Sequence, residues 1–104
     1  IALARAVPPT AIFAGADIAA LGVLRSADER SIAVPEGLSV TGYDNVFTAG
    51  ISSISLTTVD ESGEHTGAVG AGLLLERLQG RTQAKHVVID PKLIARRTSS
   101  APGR

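Results

Sequence analysis

Leu38-Ser39-Val40-Thr41-Gly42-Tyr43-Asp44-Asn45 is the stretch whose reading decides the fold. A β-prone run ends at a glycine, and a carboxylate follows in the turn. Thr10-Ala11-Ile12-Phe13-Ala14-Gly15-Ala16-Asp17 has the same shape: an apolar run, a glycine, then an acid. Between them Ala20, Leu21, Leu24 and Ala27 recur at helical spacing. Strand, helix, strand is the unit of a parallel sheet, and the residues from Asp17 to Gly37 are enough for its crossover. In open α/β sheets ligands sit beyond the carboxyl ends of the strands. Asp17 and Asp44 are therefore expected to look into one crevice, which points to ligand binding more than to catalysis.

Working outward, Ile1 to Val7 read as the tail of a helix that Pro8 and Pro9 stop. The first helix is expected from about Asp17 to Arg30, with Asp17 as its cap or first-turn acid. Asp44 to Ser55 read as a loop, followed by a β-prone piece, Leu56-Thr57-Thr58-Val59. A second helix is expected over 62–78, capped by Asp60 or Ser62 and closed by Gly80. Val69, Leu73, Leu74 and Leu78 are its apolar stripe. Gly67, Gly70 and Gly72 inside it imply close approach of a neighbouring element. His86 to Asp90 read as a third strand, Leu93 to Arg97 as a fourth, and Thr98 to Arg104 as a frayed tail.

The 104 residues suffice for one domain, and with 44% hydrophobic residues the chain is globular. Its core must rest on aliphatic side chains, because only three residues are aromatic. A formal net charge of zero argues against a nucleic-acid module within these residues. No apolar run is long enough for a membrane helix. With no cysteine there is no disulfide or thiolate metal site. The chain has no methionine and opens in what reads as a helix tail, so it is expected to be a fragment of a longer protein.

Few residues suggest chemistry. Asp44 reads equally as a turn residue bonding its own backbone and as an orienting carboxylate in a pocket. Asp17 reads better as a helix cap than as a ligand contact. Tyr43 reads as packing, with its hydroxyl within reach of a ligand. Asp60, Glu61 and Glu64 complement the dipole of the second helix. His65 and His86 lack metal-type spacing, and no serine sits in a nucleophile elbow. No metal, cofactor or catalytic group is expected. The glycines at 67, 70 and 72 do not have the order of a phosphate-binding fingerprint.

Taken together, the run from Pro9 to Leu24, the run from Val34 to Asp44, Leu56 to Val59, the run from Leu73 to Gly80 and the run from Leu93 to Thr98 resemble the LacI/GalR family of bacterial transcription regulators. The resemblance implies an incomplete α/β fold, a parallel-sheet architecture like that of periplasmic binding proteins. Residues 1–59 and 93–104 would belong to the carboxyl-terminal lobe and 60–92 to the amino-terminal lobe of an effector-binding domain. The resemblance implies that the family's amino-terminal DNA-binding domain is absent from these residues, so operator DNA would be a partner only through that missing part. Asp44, Tyr43, Asp17 and Ala16 fall at the effector positions. Ala16 stands where the family often has an asparagine, and Asn45 where a second acid is common. Leu21, Leu24, Arg25, Phe47 and Thr48 fall at the homodimer interface. A cytoplasmic regulator sensing a sugar or nucleoside-like metabolite is the implied role. A periplasmic sugar-binding protein of an ABC transporter is the alternative, and an enzyme on an α/β scaffold a third reading.

Overall fold

Two strands and the helix that joins them set the architecture. In the computed structural model, which describes residues 2–103, β1 (Ala11–Phe13) pairs in parallel with β2 (Ser39–Thr41), with Ile12 opposite Val40. The crossover helix α1 (Asp17–Glu29) places Ala20 and Ala27 fully inside. Two methyl-sized contacts let the helix lie close to the sheet, where Leu38, Val40 and Leu56 complete the core. At its end the amide of Ile32 bonds the Ala27 carbonyl and that of Ser31 bonds Asp28, with Ser31 left-handed at φ 54°. That is a Schellman closure, and the residue after it, Ile32, packs against the core.

The sheet continues past β2. A parallel bridge joins Thr41 to Thr57, and the amides of Gly42 and Asp44 bond the carbonyls of Thr57 and Val59. These bonds align β3 (Thr58–Asp60), which pairs antiparallel with β4 (Lys92–Ile94), Val59 opposite Leu93. The expected loop between Asp44 and Ser55 contains a 3-10 turn, Phe47–Gly50, which buries Ala49.

Several expectations are corrected. The expected opening helix tail is a short 3-10 turn, Ala2–Ala4, and Ile1 lies outside the described residues. The tail is not frayed at Thr98, which threads between β2 and β3. Its carbonyl accepts from the Val40 amide, and its hydroxyl donates to the Val40 carbonyl and accepts from the Thr57 amide. Ser100 and Ser39 also exchange hydrogen bonds. Thr98 therefore satisfies backbone groups that two diverging strands leave open.

The helix α2 (Gly63–Leu78) forms where expected and ends in a Schellman motif, with Gly80 at φ 114° and the Arg81 amide on the Glu76 carbonyl. It buries no residue, and a Cβ built at Gly67, Gly70 or Gly72 meets nothing within 4 Å. The close approach expected there does not occur among the described residues. His86 to Asp90 form no strand, because no neighbouring strand offers them a ladder, and Val88 is 87% exposed. The radius of gyration is 18.3 Å, against about 13 Å for a compact domain of similar length. A packed α/β body thus carries an arm made of α2 and the extended segment after it.

Candidate functional site

The carboxyl ends of β1 and β2 meet the start of α1, as the sequence pattern implies. The amide of Ala14 bonds the Thr41 carbonyl, and the amide of Asp17 bonds the Tyr43 carbonyl, both at 2.8 Å. These bonds hold the residues after both strands against each other. The two acids nevertheless have different surroundings.

Asp17 is fully buried. Its Oδ1 accepts from the Thr58 hydroxyl at 2.5 Å and its Oδ2 from the Val46 amide at 2.9 Å. It is the first-turn acid of α1, as one of the two expected placements has it, and not the cap: the cap position is Ala16, with no side-chain cap bond. The expectation that Asp17 faces the crevice is corrected as well, since a carboxylate with no exposed surface and both oxygens engaged has no room for a ligand. Asp17 instead pins β3 and the loop after β2 to the first turn of the helix. Gly42 makes this possible, because a Cβ there would run into the Asp17 carboxylate and the Leu56 side chain.

Asp44 is half-buried and has φ 116°, and Asn45 follows at φ 55°. Two successive left-handed residues are costly for L-amino acids, although Asp and Asn tolerate them best. Among the described residues the Asp44 carboxylate has no hydrogen-bond partner, and the self-bonding turn reading of Asp44 finds no such bond. Tyr43, its neighbour in sequence, and Ala16, at the start of α1, are both half-buried. Phe13, at the carboxyl end of β1, is 66% exposed. Its place at a strand end was the available signal, but an apolar run on its own reads as core.

A polar network absent from the sequence reading surrounds the turn. Asn45 Nδ2 donates to Asp60 Oδ2 at 3.0 Å, and Arg96 Nη2 donates to Asn45 Oδ1 at 2.8 Å. Arg96 Nη1 also donates to the Leu56 carbonyl at 3.0 Å, and the Ser62 amide to Asp60 Oδ1 at 2.7 Å. The hydrogen bonds from Asn45 and then Ser62 hold the Asp60 carboxyl below its ordinary range; burial opposes them, and the charges of Lys92 and Arg96 assist. Asp60 thus supports the entry to α2 through the Ser62 amide, while the Ser62 side chain makes no cap bond.

The residues expected at a dimer face fall into two places. Leu21 and Leu24 line a groove of about 540 Å³ with Val34, Ile54 and Arg97. Arg25 is exposed and pairs with Glu29 at 3.0 Å. Phe47, 89% exposed, and Thr48, half-buried, lie on the 3-10 turn and do not line that groove. No group of three or more metal-ligating side chains occurs among the described residues, and no helix there is long and apolar enough to cross a membrane.

Residues 1–99 match the model of the periplasmic binding protein-like domain family. The chain is 42% identical over 91 residues to the HTH-type transcriptional repressor PurR of Edwardsiella ictaluri, covering 86% of this chain and 27% of that protein. It thus spans just over a quarter of the length of that curated relative. The structure superposes on a LacI transcriptional regulator from a Rhodococcus species with a TM-score of 0.93 and 30% identity, covering 99% of this chain and 38% of the other. It superposes on the transcriptional regulator CelR in complex with cellobiose with a TM-score of 0.82 and 31% identity, covering 86% and 28% of the two chains.

Proposed function

The chain belongs to the periplasmic binding protein-like domain family, among relatives that are LacI-type transcriptional regulators, and we propose that it is the effector-sensing part of such a regulator. The observation that carries this reading is the Asp44 carboxylate. It is half-buried, without a hydrogen-bond partner among the described residues, and held in a strained turn at the carboxyl end of β2. Strain of this kind persists only where the surrounding structure maintains it. A carboxylate so held accepts hydrogen bonds from the hydroxyls or amines of a small polar molecule, a sugar or a nucleoside-like metabolite. Tyr43 precedes it in the chain, Ala16 precedes Asp17, and the Asp17 amide holds the two segments together through the Tyr43 carbonyl. The cellobiose complex of CelR supports an organic effector of this size.

In this reading residues 1–59 and 93–104 are part of the carboxyl-terminal lobe, and 60–92 belong to the amino-terminal lobe. Strands β3 and β4 are the two crossovers between them. The bare face of α2 supports the division, since it lacks the neighbours a lobe would supply. Effector binding shifts the lobes and so couples to operator affinity, which resides in a DNA-binding domain outside these residues. Leu21, Leu24, Arg25, Phe47 and Thr48 take part in a homodimer, and the protein acts in the cytoplasm. Relatives named as repressors favour regulation over transport.

The test is a thermal-shift panel on the intact protein with glucose, ribose, cellobiose, adenosine and guanosine, with and without Asp44→Ala. A compound that stabilises the wild type and not the variant supports the reading. Equal responses from the two proteins remove Asp44 from the site.

A further inference from the structure

We propose that Asn45, Asp60 and Arg96 form a positioning network that fixes the Asp44 turn and ties together the segments that meet there. The inference rests on the reading of Asp44 as the effector contact, and it concerns what holds that contact in place.

Asp44 is clamped from two sides. Its own amide bonds the Val59 carbonyl at 3.0 Å. The next side chain, Asn45, bonds the carboxylate of Asp60, the residue after Val59. Arg96 closes the arrangement from a third segment. Its guanidinium spans Asn45 Oδ1 and the Leu56 carbonyl, and its amide bonds Thr57 Oγ1 at 3.0 Å. The loop after β2, the strand β3 and the exit from β4 are thereby joined through one carboxamide.

A carboxamide is needed at this point because it donates and accepts at once. It donates to Asp60 and accepts from Arg96. A carboxylate at position 45 would keep the bond from Arg96 but face Asp60 with a like charge. A carboxamide at position 60 would have one oxygen for two donors, the Asn45 NH2 group and the Ser62 amide, so one of them would face its NH2 group. Asparagine at 45 and aspartate at 60 are thus a matched pair, and exchanging the two should restore the match. Arg96 would then donate to a carboxylate, a stronger acceptor. None of the three residues needs to touch the effector to act in this way.

The experiment is amide hydrogen exchange on the intact, effector-free protein, comparing wild type, Asn45→Asp, Asp60→Asn and the variant carrying both. Each single substitution is expected to speed exchange of the Asp44 amide by about fivefold or more, with the Val40 and Ala27 amides changing by less than about twofold. The double variant is expected to return the Asp44 amide to near its wild-type rate. The proposal is overturned by an unchanged Asp44 amide in the single variants, by an equal rise at Val40 and Ala27, or by no recovery in the double variant. None of these outcomes depends on the effector, so retention of effector response by Asp44→Ala would count against the binding reading alone.

Discussion

Asp17 and Asp44 follow adjacent parallel strands, and their surroundings differ: one is sealed in and the other half-exposed. Asp17 has no exposed surface and accepts from Thr58 and Val46. Its replacement by alanine leaves a buried hydroxyl and a backbone amide unpaired, at a cost of roughly 2–4 kcal/mol by urea denaturation. Gly42→Ala should cost about 1–3 kcal/mol by the same measurement, since its methyl group overlaps the Asp17 carboxylate. Asp60 makes a pH prediction. Its carboxyl is lowered in the folded state, chiefly by the Asn45 hydrogen bond. The stability it contributes is therefore fully present above the ordinary carboxylate pKa, about 4. It is lost as pH falls through the lower folded value. A melting-temperature profile below about pH 4 should be flatter for Asp60→Asn than for wild type.

At the scale of elements, the two helices contrast. α1 buries Ala20 and Ala27, whereas α2 buries nothing and leaves Leu74, Leu75 and Leu78 more than half exposed. In the 104-residue chain, Leu78→Ala should change stability by no more than about 0.5 kcal/mol, whereas Leu56→Ala should cost roughly 2–5 kcal/mol, both by urea denaturation. This difference marks the limit of what the sequence makes legible. Periodicity and punctuation disclose β1, α1, β2 and α2 because those signals are local: Gly80 closes its helix wherever that helix packs. Strand formation at His86 to Asp90 needs a neighbour, and local pattern does not reveal whether one is present. The same holds for Thr98, whose polar neighbourhood reads as tail until two strands are seen to diverge around it. At the candidate site, Asp44 was legible as an acid after a strand. The burial of Asp17 and the Asn45–Asp60–Arg96 network were not, because they join residues 15 to 51 positions apart.

For the whole molecule, a packed body and a helix α2 that buries no residue are in keeping with the proposed division between two lobes. Regulation by such a domain needs DNA contacts, and a formal net charge of zero supplies no basic surplus for them. The 104 residues alone are expected to show no salt-sensitive DNA binding in a filter or gel-shift assay, and tight binding would overturn the assignment. On the proposed reading the intact protein closes on a small polar molecule held by the Asp44 carboxylate. The most direct measurement is calorimetric titration of the compound selected by the thermal-shift panel into intact wild-type protein and Asp44→Asn. The substitution keeps the shape of the side chain and removes its charge. Affinity should weaken by about ten- to a hundredfold, with little change in melting temperature in the absence of the compound. Equal affinities for the two proteins would contradict it.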